Sequence, residues 1–225
     1  MTSVTLHRCT IAHPRRLLEG VPEASRRRLL SAARRRAFGR GEVVFHDGDP
    51  ADALHLVVRG RFAIRIVTPL GDTVTLALRG PGESFGELAV VSDEPYRSAT
   101  VESLDVGETR AIRKPDLDAL RREHPHVTEL LIALLADEIR ATNERLVEAI
   151  TVDAGRRLLR RLLDLAADAG DEPLRITQVE LASLAGTSRA TANRVLRAEE
   201  RRGTLQLTRG QIDVLDRKQL ERRAR

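Results

Sequence analysis

Between residues 40 and 113 the apolar positions come in short, closely spaced runs. Glu42-Val43-Val44-Phe45, Leu54-His55-Leu56-Val57-Val58, Phe62-Ala63-Ile64-Arg65-Ile66-Val67 and Val74-Thr75-Leu76-Ala77-Leu78 are rich in β-branched and apolar side chains, which suit a pleated, half-buried surface. Between them stand Asp47-Gly48-Asp49-Pro50, Gly60 and Pro69-Leu70-Gly71-Asp72, the residue types that reverse a chain. Strands at this regular spacing, with no long helix between them, predict a β-sandwich or small barrel. Ahead of them, Pro22 to Arg36 is predicted as a helix packed outside.

The period changes after Pro125. Ile132, Leu135, Ile139, Thr142, Leu146 and Ala149 recur at alternating spacings of three and four, which draws a coiled-coil seam along one long helix. A parallel twin helix would bury such a stripe, so the pattern predicts a homodimer. Thr142 is the polar seam position, either a register-setting residue or a ligand contact at the dimer axis.

The last third opens with an amphipathic helix, Leu158, Leu159, Leu162, Leu163, Leu165 and Ala166 against Arg156, Arg157, Arg160 and Arg161, ended by Asp168-Ala169-Gly170-Asp171-Glu172-Pro173. From Ile176 to Arg189 the pattern is a short helix begun by Thr177 or Gln178, a tight turn at Gly186, and a second helix capped by Thr187 or Ser188. Ala182 and Ala185 are small where the two helices of such a helix-turn-helix cross. In the second helix Ala192, Val195 and Leu196 point inward, while Arg189, Ala190, Asn193, Arg194 and Arg197 share the opposite face. Arginine and asparagine so presented match guanine and adenine edges and phosphates in a major groove.

Composition narrows the partner. The net charge of +5 is unevenly placed: Met1 to Val152 holds 22 basic and 22 acidic residues, Asp153 to Arg225 holds 16 and 11. The excess therefore lies wholly in the helix-turn-helix third, where it favours a polyanion. Aromatics make up 2% of the chain, too few for a base-stacking platform on single strands, so double-stranded DNA is the expected target. At 225 residues the chain has room for two domains, each with its own core. Cys9 is the one cysteine; it cannot close an internal disulfide, and no Cys/His cluster has metal-binding spacing. There is no apolar signal core at the N-terminus and no run near the ~18–20 residues of a membrane span. A cytoplasmic protein without a membrane partner is expected. An enzyme is not: no histidine follows His126, and no nucleophile–base pair is evident in the last third.

One further segment is distinctive. Pro81-Gly82-Glu83-Ser84-Phe85-Gly86-Glu87-Leu88-Ala89, followed by Arg97-Ser98-Ala99-Thr100-Val101, resembles the phosphate-binding cassette of cyclic-nucleotide domains, in which a Gly-Glu pair precedes an Arg-Ser pair by the ten residues that separate Glu87 from Arg97. With the pieces on either side, nearly the whole chain resembles the CRP/FNR family of bacterial regulators, its cyclic-AMP-receptor-like actinobacterial members in particular. The resemblance implies an α+β chain. A cyclic-nucleotide-binding β-barrel of jelly-roll type would span residues 1–125, a dimerisation helix 126–152 and a winged helix-turn-helix 153–225, with the wing at Leu205 to Val214.

It also implies roles. Arg97 would meet the cyclic phosphate as a bidentate donor, helped by Ser98 and by the loop around Leu88. Gly86 would let the backbone come close, and Glu87 would accept from the ribose hydroxyl. Read alone, Glu87 and Arg97 could instead be a surface ion pair. Thr142-Asn143 resembles the family pair over the adenine; counting back from Gly155-Arg156 selects Ala141-Thr142 instead. Ser188-Arg189-Ala190-Thr191-Ala192-Asn193-Arg194 resembles the recognition helix, with Ala190 in place of a glutamate that accepts from cytosine and Glu199 where an apolar residue is common. The expected protein is a transcription regulator with cyclic AMP as allosteric ligand, a homodimer on a pseudo-palindrome, with RNA polymerase as partner and no metal or cofactor. The alternative is a regulator of the same fold that binds DNA without a cyclic nucleotide.

Overall fold

The computed structural model describes residues 17–92, 96–170 and 173–225, so Cys9, the N-terminal stretch before Leu17 and Asp171-Glu172 lie outside the described residues. Helix α1 (Glu23–Ala32) ends where Ala33 turns extended at φ −68° and ψ 130°. This is shorter than the expected helix to Arg36, because Arg34–Phe38 forms strand β1. The competing interaction is tertiary: all five residues pair with β8 (Gly107–Arg113), and Phe38 is buried with its ring edge-on to Phe62 at 5.7 Å. Pairing and burial override the local helical pattern.

Strands β2 (Val43–Phe45), β3 (Ala53–Arg59), β4 (Phe62–Val67) and β5 (Thr73–Arg79) fall where the apolar runs predict them. After β6 (Ser84–Phe85) come the short helix α2 (Leu88–Val91), strand β7 (Thr100–Ser103) and β8. Two four-stranded antiparallel sheets result, in the orders β1-β8-β3-β6 and β2-β7-β4-β5. They stand as two sheets rather than one closed barrel. Phe38, Val44, Val57, Phe62, Phe85 and Val101 fill the core formed by their residues. A second cluster joins Leu54, Val90 and Ile112 to α1, to α3 (Lys114–Glu123) and to the first turns of α4 (His126–Thr151).

Only the start of α4 is buried, through Val127 and Leu131. Farther along, Ile132, Ile139 and Leu146 are about 60% exposed, and Val147 and Ile150 are exposed beside them. A bend at Val152 leads into α5 (Ala154–Ala169), where the Asp153 side chain accepts from Arg156 N and Gly170 at φ +65° ends the helix. Of the two possible starts, helix α6 (Gln178–Leu184) begins at Gln178, and Thr177 is its N-cap in a reciprocal capping box with Glu180. For α7 (Arg189–Arg201) the cap is Ser188. The hairpin β9 (Leu205–Thr208) and β10 (Gln211–Val214) follows, then α8 (Arg217–Ala224). Leu158, Leu162, Leu181, Leu196, Leu205 and Leu220 centre a third core shared by none of the sensor strands.

Glu199, unexplained in the sequence, is 2% exposed in this last unit. Its carboxylate accepts from Thr204 Oγ1 at 2.8 Å, from Arg202 at 2.7 Å and from Arg223. A polar residue replaces an apolar one here because it ties α7 to the turn before β9 and to α8. No helix among the described residues is long and apolar enough to cross a membrane.

Candidate phosphate cassette and DNA-reading face

The cassette is the corner between β6 and α2. Gly82 N donates to Val57 O and Val57 N to Glu83 O, both at 2.9 Å, so the turn before β6 is fastened to β3. Gly86 has φ +77°, and a Cβ on it would lie 2.6 Å from Arg97 Nη1. Glycine is thus required twice, by the backbone and by the guanidinium. The Arg97 backbone is held by Arg97 N to Asp49 O at 2.8 Å and Gly48 N to Arg97 O at 2.9 Å. Its guanidinium lies 4.1 Å from the Phe45 ring centre, a cation–π arrangement.

That guanidinium is buried, with its side chain 4% exposed, yet poorly satisfied. Nη1 is 3.5 Å from Gly86 O, Nη2 is 3.5 Å from the exposed Asp52 carboxylate, and Nε has no partner among the described residues. Burying a charge without close partners is unfavourable, and an anion here would supply the missing acceptors. Burial pulls the Arg97 pKa below the ordinary arginine value, against the charges of Asp52, Asp49 and Glu87. The reading of Glu87 and Arg97 as a surface ion pair is corrected: Arg97 is buried and its carboxylate partner is Asp52. Glu87 occupies the N-cap position of α2, half-buried; Leu88 and Ser98 are exposed.

Thr142 and Asn143 are exposed on α4. Among the described residues no hydrogen bond joins either to Gly86, Glu87 or Arg97; Thr142 Oγ1 instead accepts from Arg145 Nη2 at 3.1 Å. The structure brings Gly86 and Arg97 together, while Thr142 is engaged by Arg145 on its own helix. Arg145 also donates to Leu76 O at 2.7 Å and to Glu138 at 3.1 Å, and Glu138 accepts from Arg79 at 2.6 Å. Burial opposes the charge on Glu138, but Arg79 and Arg145 prevail and hold its carboxyl below the usual range. Strand β5 is thereby fastened to α4. Near its other end, Thr75 N donates to Ser183 Oγ of α6 at 2.9 Å and Ser183 Oγ to Thr73 O at 3.1 Å. One edge strand touches both the long helix and the helix-turn-helix.

Two cassette residues had no signal in the sequence: Phe45, the platform for Arg97, and His55 behind it. His55 is 2% exposed, stacks on Phe85 at 5.1 Å with a 6° tilt, and meets Thr109 Oγ1 at 3.1 Å. Burial first, then the charges of Arg97 and Arg36, push its pKa from 6.5 down to about 3. The unfolded chain therefore takes up this proton first as pH falls, so the contribution is full above about pH 6.5 and is lost toward pH 3. Denaturant unfolding between pH 6.5 and 4 should show wild-type stability falling by about 1.4 kcal/mol per pH unit more than that of His55→Gln; parallel slopes would refute the assignment.

On the last unit, Arg189, Ala190, Asn193, Arg194 and Arg197 are exposed on one side of α7, and Thr187 is half-buried in the turn. Arg189, Asn193 and Arg197 line an open cleft of about 370 Å³ with Gln178 and the wing residue Arg209. Arg197 pairs with Glu200 at 2.6 Å, and Asn193 Nδ2 donates to Gln178 Oε1 at 2.9 Å. The arginines of α5 are used differently from a free basic face. Arg157 donates to Ala185 O and Gly186 O, capping carbonyls at the end of α6. Arg160 and Arg161 pair with Glu148 across the bend from α4.

Residues 35–124 match the family model of the cyclic nucleotide-binding domain, and residues 156–223 that of the Crp-like helix-turn-helix domain. The chain is 35% identical over 198 residues to the CRP-like cAMP-activated global transcriptional regulator of Mycobacterium tuberculosis, covering 84% of this chain and 87% of that protein. It is 37% identical over 192 residues to the cyclic AMP receptor protein of Thermus thermophilus, with 85% and 88% covered. Among solved structures it is similar to the Thermus thermophilus catabolite activator protein, at 36% identity and a TM-score of 0.54, over 92% of this chain and 97% of that one. It shares its fold with the global regulator CLP of Xanthomonas campestris, at 24% identity and a TM-score of 0.75, over 86% and 99%. A nucleotide-binding domain ahead of this helix-turn-helix, in relatives alike along most of their length, places the chain in the CRP/FNR family of transcriptional regulators.

Proposed function

We propose that this regulator is a homodimer that binds cyclic AMP at the β6–α2 cassette and a pseudo-palindromic DNA site through α7. The observation that carries the ligand half is Arg97, a buried guanidinium with an orphaned Nε and two contacts at 3.5 Å. A cyclic phosphate offers the short, charge-assisted acceptors that a planar fork requires. Ser98 adds a hydroxyl, Leu88 borders the loop, and Glu87 accepts from the 2′-hydroxyl. In this reading residues 1–125 sense, 126–152 dimerise and 153–225 bind DNA, in the cytoplasm and with RNA polymerase as the downstream partner.

In the assembled dimer Thr142, with Asn143, meets the ligand near the axis, and the Arg79–Glu138–Arg145 cluster ties that point to β5. A ligand can move the DNA-binding units only by its differential affinity for their two arrangements. Arg189 and Arg194 read guanine O6 and N7, and Thr187, Ser188 and Arg197 lie toward the phosphates. Ala190 has no acceptor for cytosine, so it leaves its base pair loosely specified.

The decisive experiment is titration calorimetry of the full chain with cyclic AMP and cyclic GMP. One cyclic AMP should bind per chain, with cyclic GMP weaker. Silence with both at millimolar concentration would remove the sensor reading and leave the DNA reading intact.

A further inference from the structure

We infer that Gln178, on the first helix of the helix-turn-helix, is part of the base-reading apparatus: it holds the amide of Asn193 in the orientation that reads adenine. The inference rests on the DNA-binding reading above and extends it to a residue outside the recognition helix.

The two side chains meet on the cleft that faces the groove. Asn193 Nδ2 donates to Gln178 Oε1 at 2.9 Å, and both residues line the cleft with Arg189 and the wing. A free asparagine on a helix surface can turn its amide over and present either donor or acceptor to a given base atom. Here one Nδ2 hydrogen is taken by Gln178. What remains is one N–H beside the Oδ1 acceptor, the pattern that complements adenine N7 and N6. Guanine presents two acceptors, N7 and O6, so the fixed Oδ1 would oppose O6. So arranged, the pair favours adenine over guanine.

Gln178 is free for this task. The N-terminus of α6 is capped by Thr177 and Glu180, whose box uses their own side chains and backbone. The Gln178 carboxamide is not part of that box. It acts through Asn193 and is a positioning residue rather than a base contact. The consequence reaches beyond one hydrogen bond. Ala190 offers no acceptor, so the Asn193–Gln178 pair supplies polar discrimination in the same half-site.

The test is selection from a random duplex library with the full-length protein at saturating cyclic AMP and without it, using wild type, Asn193→Ala, Gln178→Met and the double variant. Met keeps the length and the helical propensity of glutamine but removes the acceptor. Wild type should prefer adenine at one base pair per half-site by on the order of tenfold. Asn193→Ala should erase that preference. Gln178→Met should reduce it several-fold at the same base pair while the guanines read by Arg189 and Arg194 keep theirs, and the double variant should match Asn193→Ala. The melting temperature should stay at the wild-type value. Gln178→Met that keeps the full adenine preference, or that weakens all positions equally, overturns the inference. A wild type that enriches no two-fold site would overturn the DNA-binding reading itself, which separates the two failures.

Discussion

Ile139→Asp should leave the chain folded but monomeric by sedimentation, and should abolish tight binding to a two-fold site. Ile139 is 63% exposed, midway along a stripe with Ile132 and Leu146, so a single chain loses little packing by the change. In a parallel pair the stripe is buried. Each isoleucine so covered contributes roughly 1.5–3 kcal/mol, and the substitution removes two while setting two carboxylates face to face. Loss of the dimer also loses the effective concentration that makes the second half-site contact nearly intramolecular. Helicity by circular dichroism should be unchanged. A dimer that survives would place the twofold contact on another surface.

Arg97→Ala should weaken cyclic AMP binding by about a hundredfold or more without destabilising the ligand-free protein. Removing one partner of a buried, hydrogen-bonded charge pair typically costs about 2–5 kcal/mol. The loss should fall on the ligand, because in the free chain the Arg97 guanidinium has only long hydrogen-bond contacts and an Nε without a partner among the described residues. Removing a poorly satisfied buried charge relieves desolvation, which offsets the packing lost over Phe45. Arg97→Lys keeps the charge but not the fork, and should fall between the two. Calorimetry checks the affinity and thermal unfolding without ligand checks the stability. Unchanged affinity, or a large fall in melting temperature, would show that Arg97 holds the fold rather than the phosphate.

Where the chain alone predicts an element correctly, the information is local. The runs from Val43 to Leu78 carry β-branched residues and turn formers in the right order, and the strands lie there. The seam after Pro125 is a helix of 26 residues. Where prediction fails, a distant partner decides. Arg34–Phe38 continues a helical pattern in sequence and becomes a strand because β8 pairs with it. Glu199 looks misplaced until Thr204, Arg202 and Arg223 surround it. The arginines of α5 look like one basic face, yet Arg157 caps α6 and Arg160 and Arg161 brace the bend.

The functional chemistry divides the same way. Gly86 and Arg97 are legible because their types and spacing match the cassette that the chain resembles, and the close approach of the Arg97 guanidinium to the backbone admits only glycine. The face of α7 is legible because a period of 3.6 assigns each residue to one side. Nothing in the chain pairs Phe45 with Arg97, His55 with Phe85, Ser183 with Thr75, or Gln178 with Asn193. These contacts join residues from 15 to 108 positions apart. Periodicity and propensity describe only the near neighbourhood of a residue. The closing of strands and helices around separate cores decides which distant side chains meet, and with them the depth at which Arg97 is buried and the way Asn193 is turned.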